Sequence, residues 1–103
     1  MTHAADQFTD LVADQLRELP GLAARRMFGG QGLYAGEKFF GIIYQGRLYF
    51  KTNAATRGNY EAHGMKPFRP SARQTLNNYL EVPADVLENS AELLAWARAA
   101  AAC

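Results

Sequence analysis

The sequence predicts an α+β domain in which an antiparallel sheet of four to six strands, built from consecutive hairpins, is flanked by N-terminal and C-terminal helices. Three observations lead to this prediction. Apolar residues recur with a helical period near both ends, whereas the middle is rich in aromatic and β-branched residues interrupted by glycines. A length of 103 residues also suits one compact core. We therefore expect a single domain over residues 1–103.

The first predicted element is a helix over residues 4–19. Its apolar side chains fall within one arc of a helical projection, and its acidic side chains fall on the opposite side. Pro20 and Gly21 are expected to end the helix, because proline lacks a backbone N–H and glycine frees the backbone. The apolar arc consists of Phe8, Leu11, Val12, Leu16 and Leu19, and the acidic row consists of Asp6, Asp10, Asp14 and Glu18.

Residues 25–52 predict two consecutive hairpins. In the first, the chain reverses within Gly29-Gly30-Gln31-Gly32, where glycines allow positive φ. In the second, Gln45-Gly46 resembles a type I′ turn and places Tyr44 opposite Arg47. The second turn therefore fixes the register of its two strands.

Alternation along the second hairpin predicts two different sheet faces. The expected core face carries Phe39, Gly41, Ile43, Leu48 and Phe50, and the other face carries Phe40, Ile42, Tyr44, Arg47, Tyr49 and Lys51. The second face has two interpretations. Its tyrosines and basic groups can stack on bases and contact phosphates, or the C-terminal helix can cover it. We favour the interpretation in which the C-terminal helix covers this face, because a sheet this small usually needs an element packed on it.

The segment after the hairpins predicts a short helix and then irregular structure. The helix covers residues 53–63, with Asn53 as its N-cap and Gly64 as its stop. Two prolines make residues 65–73 mostly irregular.

The last third of the chain predicts a strand followed by two helices. The strand runs near residues 75–82, and a short helix begins at Pro83 and continues through Leu87. Asn89 and Glu92 form a capping-box pattern for a final helix over residues 90–102. The expected anchors of that helix are Leu93, Leu94, Trp96 and Ala97.

Charge is segregated along the chain. Residues 1–24 and 74–103 each carry a net charge of −3, whereas residues 25–46 and 47–73 carry +2 and +5. This pattern can guide the middle toward an anionic partner, but we favour packing of the acidic ends against the basic middle. No apolar run is long enough for a membrane span, and the acidic N-terminal segment is unlike a signal peptide. With one cysteine, Cys103, at an exposed C-terminus, the sequence predicts a cytoplasmic protein.

Catalytic and metal chemistry lacks the residues that it needs. The histidines are His3 and His63, and neither has a neighbouring nucleophile in a triad-like pattern. Together with Cys103 they are too scattered to form a zinc site. The glycine-rich turn lacks the Lys-Ser/Thr of a P-loop and the helix of a dinucleotide fingerprint. We therefore predict no catalytic residues, no metal and no cofactor.

Three blocks of the sequence resemble the TfoX N-terminal domain family, named for the Sxy/TfoX regulators of natural competence. They are residues 26–34, 39–42 and 46–51. The resemblance implies an α+β domain with a non-enzymatic regulatory role, since the best-known members act as coactivators with the cyclic AMP receptor protein. The signature positions, mainly structural, are Arg26, Met27, Phe28, Gly29, Gly30, Gly32, Leu33, Tyr34, Gly46 and Leu48.

The leading functional prediction is an interaction module that binds another protein in a transcription-linked setting. One alternative is direct nucleic-acid binding through the basic middle segment. Another is a small-ligand pocket between sheet and helix, with Tyr34, Tyr44, Tyr49 and Arg47 at its wall. A further alternative is a homodimer built on a sheet edge or on the terminal helix. The candidate interaction residues are Arg25, Arg47, Tyr44, Tyr49, Lys51, Arg69 and Arg73.

Overall fold

The computed structural model describes residues 4–27 and 29–103, with residues 4–6 described by their backbone alone. Within these ranges the chain forms one six-stranded antiparallel sheet in the order β1-β2-β3-β4-β6-β5, which confirms the predicted fold class. No helix in this part of the chain is long and apolar enough to cross a membrane. The helices are α1 Ala4–Gln15, α2 Arg57–Glu61, α3 Ala84–Leu87 and α4 Ser90–Ala101. The strands are β1 Leu22–Met27, β2 Gly30–Ala35, β3 Lys38–Tyr44, β4 Arg47–Lys51, β5 Pro67–Ser71 and β6 Gln74–Glu81.

The two sides of the sheet have different surroundings. Helices α1 to α4 all contribute to the main hydrophobic core, so they pack on one side, which we call the helix side. A smaller cluster on the other side, the open side, is built from strand residues alone. It consists of Ile42, Tyr49 and Phe68 with Phe39, Tyr44, Leu76 and Tyr79 packed around them.

A β-bulge in β3 changes which phenylalanine enters the core. Leu33 lies opposite Gly41 and Tyr34 lies opposite Phe39, so Phe40 is an extra residue without a partner on β2. Such an extra residue shifts the alternation of the strand. Phe40 is therefore in the main core at 0% exposure, whereas Phe39 packs on the open side. The predicted assignment of these two residues to the two faces is wrong.

Helix α1 is confirmed, although it ends at Gln15 and continues as turns to Pro20. Val12 and Leu16 are fully buried, and Leu11 is 48% exposed. The buried direction is centred between Val12 and Leu16, which places Leu11 on the flank of the apolar arc. Leu11 thus belongs to the predicted apolar arc but lies largely outside the core.

The second hairpin has the predicted register and turn. Tyr44 pairs with Arg47, and both Gln45 and Gly46 have positive φ, of 49° and 74°, as a type I′ turn requires. The first hairpin is tighter than predicted, because its strands already pair at Met27 and Gly30, within the stretch expected to form the turn. Phe28, a signature position, lies outside the described residues, as do His3 and the side chain of Asp6.

The segment after β4 differs from the prediction in two ways. Asn53 does not cap α2 directly, since its side chain accepts from the N–H groups of Ala55 and Thr56 and closes the preceding turn. The expected irregular stretch is wrong, because residues 67–71 form strand β5. Its prolines are tolerated because β5 is an edge strand, where one row of N–H groups needs no partner.

The C-terminal elements follow the predicted order. Strand β6 and helix α3 are present, and the Asn89 side chain accepts from the Glu92 N–H at the start of α4. The chain end is not exposed as predicted. Cys103 is a free, half-buried cysteine whose Sγ donates to the Lys51 carbonyl oxygen at 3.7 Å. The terminal residues are therefore docked against β4.

Gly41 occupies a position with little space for a side chain. A Cβ there would lie 3.1 Å from both the Phe50 ring and the Tyr49 carbonyl oxygen. Gly41→Leu is therefore expected to lower the free energy of unfolding by about 1–3 kcal/mol through overpacking. Chemical denaturation measures the change. Gly58→Leu is the matched control, because Gly58 faces open space. Equal stability of the Gly41 variant and the control would contradict the tight contact.

Candidate interaction surface

The open side carries six aromatic rings in two connected groups. In the first, the Phe39 ring lies 5.3 Å from Tyr34 and 5.6 Å from Tyr79, measured between centroids. In the second, Phe68 lies 5.3 Å from Tyr44 and 4.8 Å from Tyr49. These separations are typical of aromatic pairs that attract beyond simple burial. We call these six rings with Ile42 and Leu76 the aromatic face.

The cover over this face comes from the β5–β6 hairpin. Phe68 belongs to the edge strand, yet its ring contacts Tyr49 and Tyr44 two and three strands away. Register shifts between β5 and β6 bend the hairpin enough to permit this. Helix α4 lies on the helix side, where Leu93 and Ala97 join the main core. The prediction that the C-terminal helix covers the tyrosine face is therefore wrong.

Three basic residues surround the aromatic face. Arg25 places its guanidinium carbon 4.7 Å from the centre of the Tyr34 ring, a cation–π contact. Arg47 donates to both carboxylate oxygens of Glu81, at 3.0 and 3.2 Å. Lys51 pairs with Tyr79 across β4 and β6, which places both residues on the same side. The rim of the face is thus basic, with Glu81 already neutralised by Arg47.

Two tyrosine hydroxyls of this face, those of Tyr49 and Tyr79, stay protonated at neutral pH. Burial raises the pKa of Tyr49 above its ordinary value, and the Glu81 carboxylate raises it further while Arg47 opposes the change. Burial also raises the pKa of Tyr79. Neither hydroxyl can act as a base near pH 7, so the polar groups of the face are suited to hydrogen bonding.

The structure brings together five of the seven predicted interaction residues. Arg25, Tyr44, Arg47, Tyr49 and Lys51 share the open side. Tyr49 is buried, so it packs beneath the face and is not accessible to a partner.

The other two predicted residues lie at the β5–β6 turn. The Arg69 guanidinium donates to the carbonyl oxygens of Ser71 and Ala72, which stabilises the turn itself. Arg73 is exposed next to it. Sequence reasoning missed Phe68, Leu76 and Tyr79 as parts of the face. A signal was available, since Phe68 is the one aromatic residue between two prolines in a segment that was interpreted as irregular.

The glycine-rich signature has packing roles in the structure. A Cβ at Gly32 would lie 3.0 Å from the Phe39 ring, so this glycine leaves room for that ring beside β2. Leu33 and Leu48 are buried in the main core. Beside the first hairpin a cleft of about 190 Å³ is lined by Arg26, Gly29, Gly30, Gln31, Gln45 and Gly46, with Thr9 and Ile43.

The predicted ligand pocket between sheet and helix is not built as expected. Tyr34, Tyr44, Tyr49 and Arg47 lie on the open side, away from the helices. Among the side chains that the structure describes, no three His, Cys, Asp or Glu residues form a group able to hold a metal ion. The arrangement suits recognition of a surface by aromatic rings and basic side chains.

These features define an α+β domain with helices on one side of an antiparallel sheet and an aromatic, basic surface on the other. The family model of the TfoX N-terminal domain matches residues 14–103, and the chain belongs to this family. A relative, DNA transformation protein TfoX1 of Aliivibrio fischeri (strain ATCC 700601 / ES114), is 29% identical over 84 residues. That match covers 80% of this chain and 38% of the relative, so the chain spans well under half of the relative's length.

Proposed function

We propose that this chain is a non-enzymatic regulatory module that binds another protein in a transcription-linked setting. Membership in a family that resembles competence regulators supports this role, as does the relative named as a DNA transformation protein. The observation that carries the proposal is the aromatic face with its basic rim. A transcription-linked role also requires the cytoplasmic location that the sequence predicts.

The composition of the open side favours a protein partner. Tyrosine and arginine dominate the energetics of protein interfaces, because they combine a large contact area with polar groups. Tyr34, Phe39, Tyr44 and Tyr79 are only half-buried, so a partner can remove more of their surface from water. Burial raises the pKa of Tyr79 and of the supporting Tyr49, so these two hydroxyls are neutral and inexpensive to bury further.

The experiment is capture of partners from an extract of the native cell on the immobilised chain. Lys51→Glu alters the open side, and Arg98→Glu makes the same charge change on an exposed position of α4. We expect the wild type and Arg98→Glu to recover a transcription-related protein, and Lys51→Glu to recover less of it. Direct binding to the purified partner should reproduce this order. Repeated recovery of only a metabolic enzyme, or equal recovery by both variants, would contradict the proposal.

A second candidate function is direct binding of single-stranded nucleic acid. Arg25, Lys51 and the tyrosines on one side favour it, since such groups contact phosphates and stack on bases. It is the weaker candidate because the rings pack against one another, and Tyr49 and Phe68 are buried. Phosphate-driven affinity must fall steeply with salt. A labelled oligonucleotide that does not bind at low salt, or binds equally at all salt concentrations, eliminates this candidate.

A further inference from the structure

The two edges of the sheet differ in their capacity to accept another strand. Edge strand β5 contains Pro67 and Pro70, and its pairing with β6 is interrupted by register shifts. Both features protect an edge from further pairing. Edge strand β1 contains neither proline nor glycine, and its six residues pair with β2 without any register shift. The edge of β1 is therefore the regular one.

The hydrogen-bonding pattern shows which groups of β1 face outward. The Gly36 N–H donates to the Gly21 carbonyl oxygen at 2.9 Å, in register with the β1–β2 pairing that follows. Successive residues of an antiparallel strand bond alternately to either side, so the odd-numbered residues of β1 bond to β2. The N–H and C=O groups of Ala24 and Arg26 then point away from the sheet. In the described part of the chain no strand pairs with them.

Two adjacent arginines mark this edge. Alternation places Arg25 on the open side beside Tyr34 and Arg26 on the helix side, where it lines the cleft at the first hairpin. Both are exposed. Neither forms an ion pair with a described carboxylate, whereas Arg17, Arg47 and Arg57 each do. The edge thus presents outward backbone groups between two arginines that have no ion-pair partner among the described residues, one on each side of the sheet.

We propose that the edge of β1 accepts an extended acidic segment of the partner protein as an additional antiparallel strand. Main-chain hydrogen bonds to Ala24 and Arg26 supply affinity in this mode of recognition. Two consecutive acidic residues in the segment would project to opposite sides, one opposite each arginine. This inference rests on the proposed protein-binding function and specifies where and by what chemistry the partner binds.

Charge decides between this partner and a second copy of the chain. An antiparallel pair of β1 strands would collect Arg25 and Arg26 from both copies in one short ladder, and like charges on neighbouring strands are destabilising. An acidic strand reverses the sign of that interaction. A nucleic acid offers no strand backbone to pair with Ala24 and Arg26.

The test uses a synthetic peptide with two adjacent glutamates between valine and threonine residues, and a control peptide with lysines in place of the glutamates. We expect the glutamate peptide to shift the NMR signals of the Ala24 and Arg26 amides and to slow their hydrogen exchange. The lysine peptide should leave both unchanged. The double variant Arg25→Glu with Arg26→Glu should bind the glutamate peptide at least about tenfold more weakly than the wild type does, corresponding to about 1.4 kcal/mol. The same variant should bind the lysine peptide.

Two further variants control for fold and for net charge. Ala24→Pro removes an outward N–H and leaves the bonds to β2 intact, so it should abolish binding of the glutamate peptide without loss of the thermal unfolding transition. Arg17→Glu with Arg98→Glu makes the same charge change outside the sheet and should bind the glutamate peptide as the wild type does.

Several results would overturn the inference. The first is that the glutamate peptide does not bind, and the second is that its binding survives Ala24→Pro. The third is that a competing oligonucleotide shifts the NMR signals of the same amides. Concentration-dependent protection of Ala24 and Arg26 in the free chain would assign the edge to a second copy. If the β1 variants still capture the partner that Lys51→Glu loses, the edge inference fails and the proposed function stands. If the wild type captures no protein at all, the proposed function itself fails.

Discussion

Phe40→Ala is expected to lower the free energy of unfolding by about 3–5 kcal/mol, and Phe39→Ala by clearly less. The bulge in β3 places Phe40 in the main core at 0% exposure, with its ring centroid 5.6 Å from that of Phe50. Phe39 is half-buried on the open side, so its removal leaves a space that solvent can reach. The loss at Phe40 is a large part of the total stability of a domain this size.

Denaturant unfolding of both variants measures this difference. Because Phe40→Ala can leave too little folded protein to study, Phe40→Leu and Phe39→Leu form a milder pair with the same expected order. Equal losses, or a larger loss at Phe39, would contradict the bulge and restore simple alternation along β3.

Phe68→Ala is the second variant with a large expected effect, again about 3 kcal/mol or more. Phe68 is 2% exposed and its ring covers Tyr49 and Tyr44, so its removal opens the aromatic face to water. Phe68→Leu keeps most of the buried area and should lose clearly less.

The measurement combines denaturant unfolding with hydrogen exchange of the β5–β6 hairpin. We expect Phe68→Ala to destabilise the chain and to speed exchange in the hairpin more than in α4. Arg73→Ala is the neighbouring control, since the Arg73 side chain is exposed. If the stability of Phe68→Ala lies within about 0.5 kcal/mol of the wild type, as is usual for surface substitutions, Phe68 does not cover this face.

Local signals predicted the elements of this fold where a few neighbouring residues determine the backbone. Gln45-Gly46 predicted a turn and a register because positive φ at two positions leaves few alternatives. The bulge at Phe40 carried no such signal, since two consecutive phenylalanines fit either face. Strand β5 was missed because Pro67 and Pro70 oppose a central strand, whereas an edge strand accepts them.

Only part of the candidate surface could be predicted, namely the part that depends on local alternation along one strand. Alternation along β4 correctly placed Arg47, Tyr49 and Lys51 on one side. The cover could not be predicted, because the contact of Phe68 with Tyr44 depends on how the β5–β6 hairpin bends. The core-face positions Ile43, Leu48 and Phe50 were predicted correctly. Because both sides of β3 are apolar, the sequence did not indicate that all four helices lie on this one side.

Mapping the complex with the captured partner by hydrogen exchange tests the central claim most directly, namely that the chain binds a protein through the open side and the edge of β1. We expect slower exchange at the Ala24 and Arg26 amides and at the amides near Tyr34 and Lys51. Exchange in α1 and α4 should change little. Protection confined to the two helices, with the amides of β1 exchanging as in the free chain, would contradict the claim.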